Sequence, residues 1–325
     1  MILAGDVGAT KILLEAGDID EGRWKPFTAR RYAIADFPNM AVVMEAFLKD
    51  WDAARPARAK LTAGAVGVAG PAEGNCVKMT HRPWIIDGDA LGERFGIPRL
   101  RVVNDLAATA SGIDMLSSRD FFTLQAGKAV EGAPQVVLGV GTGLGVAGLR
   151  PSSPLGDSKR TKQSDFEVLP GEGGHVGFSP GSAEQAHLWR LLFEKHGRVE
   201  AEDVASGHGI ANIYRALSGK TLEPAQICDL AFGKGEAVAV RTLDLFAECL
   251  GNIAGDQVLA TMARGGVFLA GGVMGKIARD LNREKFGEAF CAKGAMSSFL
   301  MRIPVRAITN EKLAILGAAR IAQGK

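Results

Sequence analysis

"ILAGDVGATKILLEAG", residues Ile2–Gly17, decides the fold once it is set beside "VVLGVGTGLGVAGL", residues Val136–Leu149. Each enters on an apolar run, passes a turn of small residues and leaves on a second apolar run. That pattern reads twice as strand, tight turn, strand. Asp6-Val7-Gly8 lines up with Gly139-Val140-Gly141. The recurrence suggests two related halves, each opening with a hairpin.

Between the hairpins, "FPNMAVVMEAFLKDWDAA" predicts a helix with Pro38 in its first turn and Val43, Phe47 and Trp51 on one face. "LTAGAVGVAGP" (Leu61–Pro71) reads as a strand ending in a turn. "RLRVVNDLAATA" reads as a strand running into a helix at Asn104-Asp105. In the second half, "GSAEQAHLWRLLFEKHG" predicts a helix with a capping box at Ser182 and Gln185 and a stop at Gly197. A long helical pattern runs from about Ala237 to Met262, and "GGVFLAGGVMGKI" reads as strand, glycine turn, helix. "RPSSPLGDSKRTKQSD" (Arg150–Asp165) is polar and proline-interrupted, so an exposed loop or loose hairpin is expected there.

The 325 residues suit two domains, nearly half of them are apolar, and the net charge is only +2. A nucleic-acid partner is not expected, because no basic stripe stands out. No segment approaches the ~20 apolar residues of a membrane span. Asp6 and Lys11 interrupt the first apolar run, so a signal peptide is not expected. Cys76, Cys228, Cys249 and Cys291 are far apart with no C-x-x-C, which predicts reduced, buried thiols in a cytoplasmic protein.

Gly143–Gly148 fits G-x-G-x-x-G literally, but a dinucleotide fingerprint must open a helix, and Leu149 leads into a polar, proline-containing loop. No P-loop, H-E-x-x-H or metal-spaced histidine set is present.

Three constellations carry chemistry. The hairpin turns, free of bulky side chains, can aim backbone N–H groups at an anion, and a pair of them could clamp a polyphosphate. Asp6 would repel phosphate directly and makes sense if Mg²⁺ intervenes; otherwise it caps a hairpin. Asn104 and Asp105 stand at a strand-to-helix junction, where they could cap the helix. Alternatively, Asp105 could take a proton from a hydroxyl that attacks phosphorus. "LPGEGGHVGFSP" (Leu169–Pro180) puts Glu172 and His175 on a glycine-rich loop. There a carboxylate acceptor and an imidazole donor suit a polyhydroxylated ligand, and the glycines suit close backbone approach or strained turns. The bland alternative is a loop with a surface histidine.

"GDVGAT", "VAGP…MTHRPW", "VVNDLAA", "GVGTGLGV", "LPGEGGHVGFSP", "AEDVASGHGIANIYRA" and "GGVFLAGGV" occur in this order along the chain. Together they resemble the bacterial glucokinases lacking the zinc–cysteine motif, within the sugar kinase–actin–Hsp70 superfamily. The resemblance implies two actin-like (ribonuclease H-like) α/β domains with mixed β-sheets flanked by helices, hinged around a nucleotide cleft. The small domain would span 1–112 plus 309–325, with a final helix at about Glu311–Gln323, and the large one 113–308. It implies phosphorylation of glucose at its 6-hydroxyl by ATP with Mg²⁺, in a homodimer.

The resemblance also assigns roles. Asp6, Gly8, Ala9 and Thr10 would form the first phosphate loop, with Asp6 reaching Mg²⁺ through water. Gly141, Thr142 and Gly143 would form the second, and Gly271 and Gly272 would pack near adenosine. Asn104, Asp105, Glu172, His175 and Glu202 would bind glucose, with Asp105 the base. Four departures stand out: Gly8-Ala9-Thr10-Lys11 where relatives commonly have Gly-Gly-Thr-Asn, His81 where an Asn often precedes the sugar-loop Trp, Gly177 where an Asp is frequent, and a longer loop at 150–165. The same fold also serves kinases of mannose or N-acetylated hexosamines and non-catalytic sugar-binding regulators. A regulator would be expected to carry a helix-turn-helix, for which the sequence before the first hairpin leaves no room.

Overall fold

The computed structural model describes residues 1–56, 59–80, 82–152 and 166–324. His81 and residues 153–165 of the polar loop therefore lie outside the described residues. The chain divides into two compact units, Met1–Leu116 with Lys312–Lys325, and Ser117–Glu311.

The first unit is built on β1 (Ile2–Val7), β2 (Lys11–Asp20), β3 (Arg23–Ala33), β4 (Ala63–Val68) and, after a small sheet of β5 (Ala72–Glu73), β6 (Cys76–Lys78) and β7 (Ile85–Asp87), β8 (Leu100–Asn104). The main sheet has the order β3-β2-β1-β4-β8. β1 is antiparallel to β2 and parallel to β4, which is parallel to β8. Covered on both faces, β4 is buried at all six positions, as an apolar parallel strand should be.

On one face, Leu3, Val7, Val66 and Val68 join a core with Met44, Phe47 and Trp51 of the Met40–Ala54 helix. That helix is capped by Asn39, so Pro38 precedes the cap instead of sitting in the first turn. On the other face, Ile2, Ala4, Ala63 and Ala65 meet Ile315, Ala318 and Ala319 of the Leu313–Ala322 helix. The contact is close: a Cβ on Gly317 would lie 1.6 Å from the Ala108 carbonyl oxygen, and one on Gly112 2.5 Å from that of Leu313. The C-terminal helix thus presses directly on the Asp105–Ser111 helix.

The second unit contains β9 (Phe121–Gln125), β10 (Gln135–Val140), β11 (Leu144–Pro151), β12 (Phe166–Leu169), β13 (Gly266–Ala270) and β14 (Val305–Ile308), in the order β12-β11-β10-β13-β14-β9. β10 is antiparallel to β11 and parallel to β13, which is parallel to β14. Five strands therefore repeat the first unit's order and directions, so the recurring hairpin extends to a whole sheet. β9 is an addition, antiparallel to β14. Arg150 and Pro151, expected in the polar loop, belong to β11 and pair with Glu167 and Phe166. The long helix Ala237–Thr261 is the core of this unit, and a Cβ at its Gly251 would lie 2.2 Å from the Phe286 carbonyl oxygen. Among the described residues no helix is long and apolar enough to cross a membrane. All four cysteines are free thiols, but only Cys249 is fully buried; Cys76, Cys228 and Cys291 are half-buried, contrary to the expectation.

Candidate active site

Parallel strands end their carboxyl termini on one edge, where α/β folds place ligands. In the first unit the register Val7↔Val68 and Val68↔Asn104 brings the Gly8–Thr10 turn and the Asn104–Asp105 junction to the same edge. They are two strand spacings apart, roughly 10 Å. The turn closes on a Gly8 N–H to Lys11 carbonyl bond of 3.0 Å. Asp6 sits at the end of β1, and burial pushes its carboxyl above the usual range while Lys11 pulls it down. A half-buried carboxylate beside one lysine fits a neighbouring cation.

Asn104 is both strand end and helix cap. Its Oδ1 accepts from the N–H groups of Leu106 (2.9 Å) and Ala107 (3.1 Å), and its Nδ2 donates to the Gly70 carbonyl at 3.0 Å. The side chain is therefore clamped, which fixes the first turn of the helix and with it Asp105. Asp105 is half-buried there, its Oδ1 accepting from Leu106 N–H at 2.9 Å.

In the second unit the Gly141–Gly143 turn is held from behind. The N–H groups of Gly207 and His208, at the start of the Gly207–Ser218 helix, donate to the carbonyls of Gly141 (2.8 Å) and Thr142 (3.2 Å). In a planar trans peptide the carbonyl and the following N–H point to opposite sides. The N–H groups of Thr142 and Gly143 are thus turned away from the helix, as donors for an anion. Beside them, register Gly139↔Ala270 sets Gly271 next to the end of β10. Gly271 has φ 98°, and a Cβ there would lie 2.5 Å from the Val140 carbonyl oxygen, so only glycine fits.

The glycine-rich loop lies along β11. Glu172 forms a parallel bridge with Val146, and a Cβ on Gly174 would sit 1.8 Å from the Leu144 carbonyl oxygen. The loop glycines Gly171, Gly173, Gly174 and Gly177 all avoid the left-handed region; close approach to Leu144 and Val146 explains the first three, while a Cβ on Gly177 would meet nothing within 4 Å. Glu202 reaches the same place from the Ala201–Asp203 turn. Its Oε2 accepts from Leu144 N–H at 3.3 Å and would lie 2.7 Å from a Cβ on Gly143.

His175 Nδ1 lies 2.7 Å from Glu200 Oε2 and 3.8 Å from Glu202 Oε1. The bond to Glu200 raises the imidazole above its ordinary value, helped by the charges of Glu202 and Glu172, and lowers the Glu200 carboxyl. His175, Glu200 and Glu202 each offer a metal-ligating atom within 4.8 Å of one another. An ionised carboxylate can only accept, so the 2.7 Å contact between His175 and Glu200 makes this cluster a hydrogen-bonded one when Nδ1 carries the proton.

The glucokinase family model matches residues 3–325 of this sequence. The chain belongs to the glucokinase family. A glucokinase from Cupriavidus metallidurans is 35% identical over 326 residues, covering 98% of this chain and 92% of its own length. The crystal structure of a glucokinase from an Antarctic psychrotroph matches with a TM-score of 0.80 at 30% identity, covering 100% of this chain and 99% of that one. A Balamuthia mandrillaris glucokinase, solved in complex with glucose, shares the fold with a TM-score of 0.78 at 22% identity, covering 99% and 93% of the two chains.

Within this glucokinase-family chain, the residues singled out from sequence fall into two groups. Asp6, Gly8, Ala9, Thr10, Asn104 and Asp105 share one edge of the first unit. Gly141, Thr142, Gly143, Glu172, His175, Glu202, Gly271 and Gly272 surround the β10–β11 turn of the second. Sequence reading missed Glu200 and Arg198, whose bonds reach His175, and the amides of Gly207 and His208 behind the turn.

Proposed function

We propose that this chain transfers the γ-phosphoryl group of ATP to the 6-hydroxyl of D-glucose, giving glucose 6-phosphate and ADP. The observation that carries this reading is the crowding of Glu172, His175 and Glu202 around a turn whose Thr142 and Gly143 amides point away from the helix behind it. It puts groups suited to sugar hydroxyls beside groups suited to phosphate.

Glu172, His175, Glu202 and Asn104 bind hydroxyls of the sugar. Asp105, fixed by the Asn104 cap, accepts the proton of the 6-hydroxyl as its oxygen bonds to phosphorus; general bases of this kind contribute about 10²- to 10⁴-fold. The two turns, Gly8–Thr10 and Gly141–Gly143, hold the triphosphate through backbone amides, and Gly271 and Gly272 pack near adenosine. The transition state of phosphoryl transfer is loose, so positioning and charge neutralisation do most of the work. Asp6 would hold Mg²⁺ through water, and the ion would supply neutralisation of phosphate charge when bound. We further propose that the enzyme works in the cytoplasm, where free thiols persist, and as a homodimer.

Coupled ADP release over a panel of hexoses and donors tests the reading. Glucose with ATP is expected to give the highest kcat/KM. Preference for mannose or an N-acetylated hexosamine would reassign the substrate, preference for polyphosphate the donor, and no turnover with any pair would leave a binding protein.

A further inference from the structure

His175 is more than half exposed, with 53% of its side chain accessible, yet its ring is not free to turn. Nδ1 is 2.7 Å from Glu200 Oε2. Glu200 is itself held: Arg198 Nε donates to Glu200 Oε1 at 2.9 Å, and the Glu200 N–H donates to Asp203 Oδ2 at 2.8 Å. Arg198 Nη2 also donates to the carbonyl of His175 at 2.9 Å, so one guanidinium grips both the histidine's backbone and its partner carboxylate. Beneath them the two segments run as a short ladder, with Phe178 N–H on the Val199 carbonyl and Ala201 N–H on the Val176 carbonyl, each 2.9 Å. Arrangements in which a carboxylate fixes one imidazole nitrogen set the tautomer and aim the other nitrogen.

We propose that Glu200, braced by Arg198, is a positioning residue that sets the tautomer and orientation of His175 for sugar binding. With the Nδ1 proton committed to Glu200, Nε2 is the ring's one polar atom left for the ligand. In the neutral ring Nε2 carries a lone pair and accepts from a sugar hydroxyl. Glu202 and Glu172, the other acids near the ring, then serve as acceptors for further hydroxyls. This inverts the donor role first expected of the imidazole. The inference rests on the sugar-binding reading of His175 above.

The test uses the full chain and glucose phosphorylation. Glu200→Ala is expected to raise the KM for glucose about tenfold, as loss of a charge-assisted bond frees the ring. The KM for ATP and kcat at saturating glucose should stay within about twofold, and at alkaline pH, where the imidazole is neutral, the melting temperature should barely move. Glu200→Gln keeps an acceptor for the Nδ1 proton and should restore the glucose KM to within about threefold of the parent. Nitrogen-15 NMR of the parent should find Nδ1 protonated; this readout needs neither activity nor a variant. An unchanged glucose KM in Glu200→Ala while His175→Ala raises it, or an Nε2-protonated tautomer in the parent, would overturn the proposal. If His175→Ala itself leaves the glucose KM unchanged, the sugar-binding reading fails first, and the positioning role falls with it.

Discussion

Gly143→Ala adds one methyl group at the point where Glu202 meets the Gly141–Gly143 turn. Its φ lies outside the left-handed region, so alanine is allowed by the backbone. The new Cβ would sit 2.7 Å from Glu202 Oε2, while a comfortable contact needs about 3.3 Å, so the carboxylate must retreat by roughly half an ångström. The bond it accepts from Leu144 N–H is already 3.3 Å long and would not survive that shift. A hydrogen bond to a charged group contributes about 1.5–3 kcal/mol, but Glu202 is 32% exposed and water takes up part of the loss. About 1 kcal/mol of misplacement remains, or roughly a fivefold rise in the KM for glucose. Steady-state kinetics with varied glucose, paired with a thermal melt, reads this directly. The melting temperature should fall by no more than ~4 °C. A glucose KM equal to that of the parent would refute the link between Glu202 and the turn, and a collapse in stability would mean the added methyl disrupts the β10–β11 hairpin itself.

The remaining expectations are independent of one another. Asp105→Asn should lower turnover by at least ~10²-fold while glucose affinity stays within about tenfold; near-normal turnover would remove Asp105 from the role of base. Asp6→Ala should raise the Mg²⁺ concentration needed for half-maximal rate, and an unaltered metal titration would argue against its assignment. Because His175 is raised and Glu200 lowered, their pairing stabilises the fold above the unfolded carboxyl value and is lost as pH rises through the folded histidine value. The melting difference between parent and Glu200→Ala should therefore be widest near pH 5–6 and close at alkaline pH; a difference constant across that range would contradict the pairing.

Much of this was legible in the sequence because it is local. The hairpin repeat, the Val43–Phe47–Trp51 stripe, the Ser182 cap with Gly197 as stop, and the strand-to-helix step at Asn104 are each patterns within a few residues. Even these carried limits. Gln185 sits where a capping-box partner should, but its side chain accepts from Gly181 N–H. Asn104 was readable as a cap, whereas its bond to the Gly70 carbonyl joins residues 34 apart and leaves no trace in either stretch. Glu200 was invisible for the same reason: "RVEAED" looks like any solvated acidic turn until His175, 25 residues earlier, is brought against it. The loop glycines announced a special backbone, but only the nearness of Leu144 and Val146 reveals that close approach is the cause at Gly171, Gly173 and Gly174.

The most direct trial of the account is a crystal structure with glucose and a non-hydrolysable ATP analogue. It should place an Asp105 carboxylate oxygen within about 3 Å of the sugar 6-hydroxyl, with the Thr142 and Gly143 amides on phosphate oxygens. Glucose bound away from Asp105, or phosphates held elsewhere than at these two turns, would contradict it.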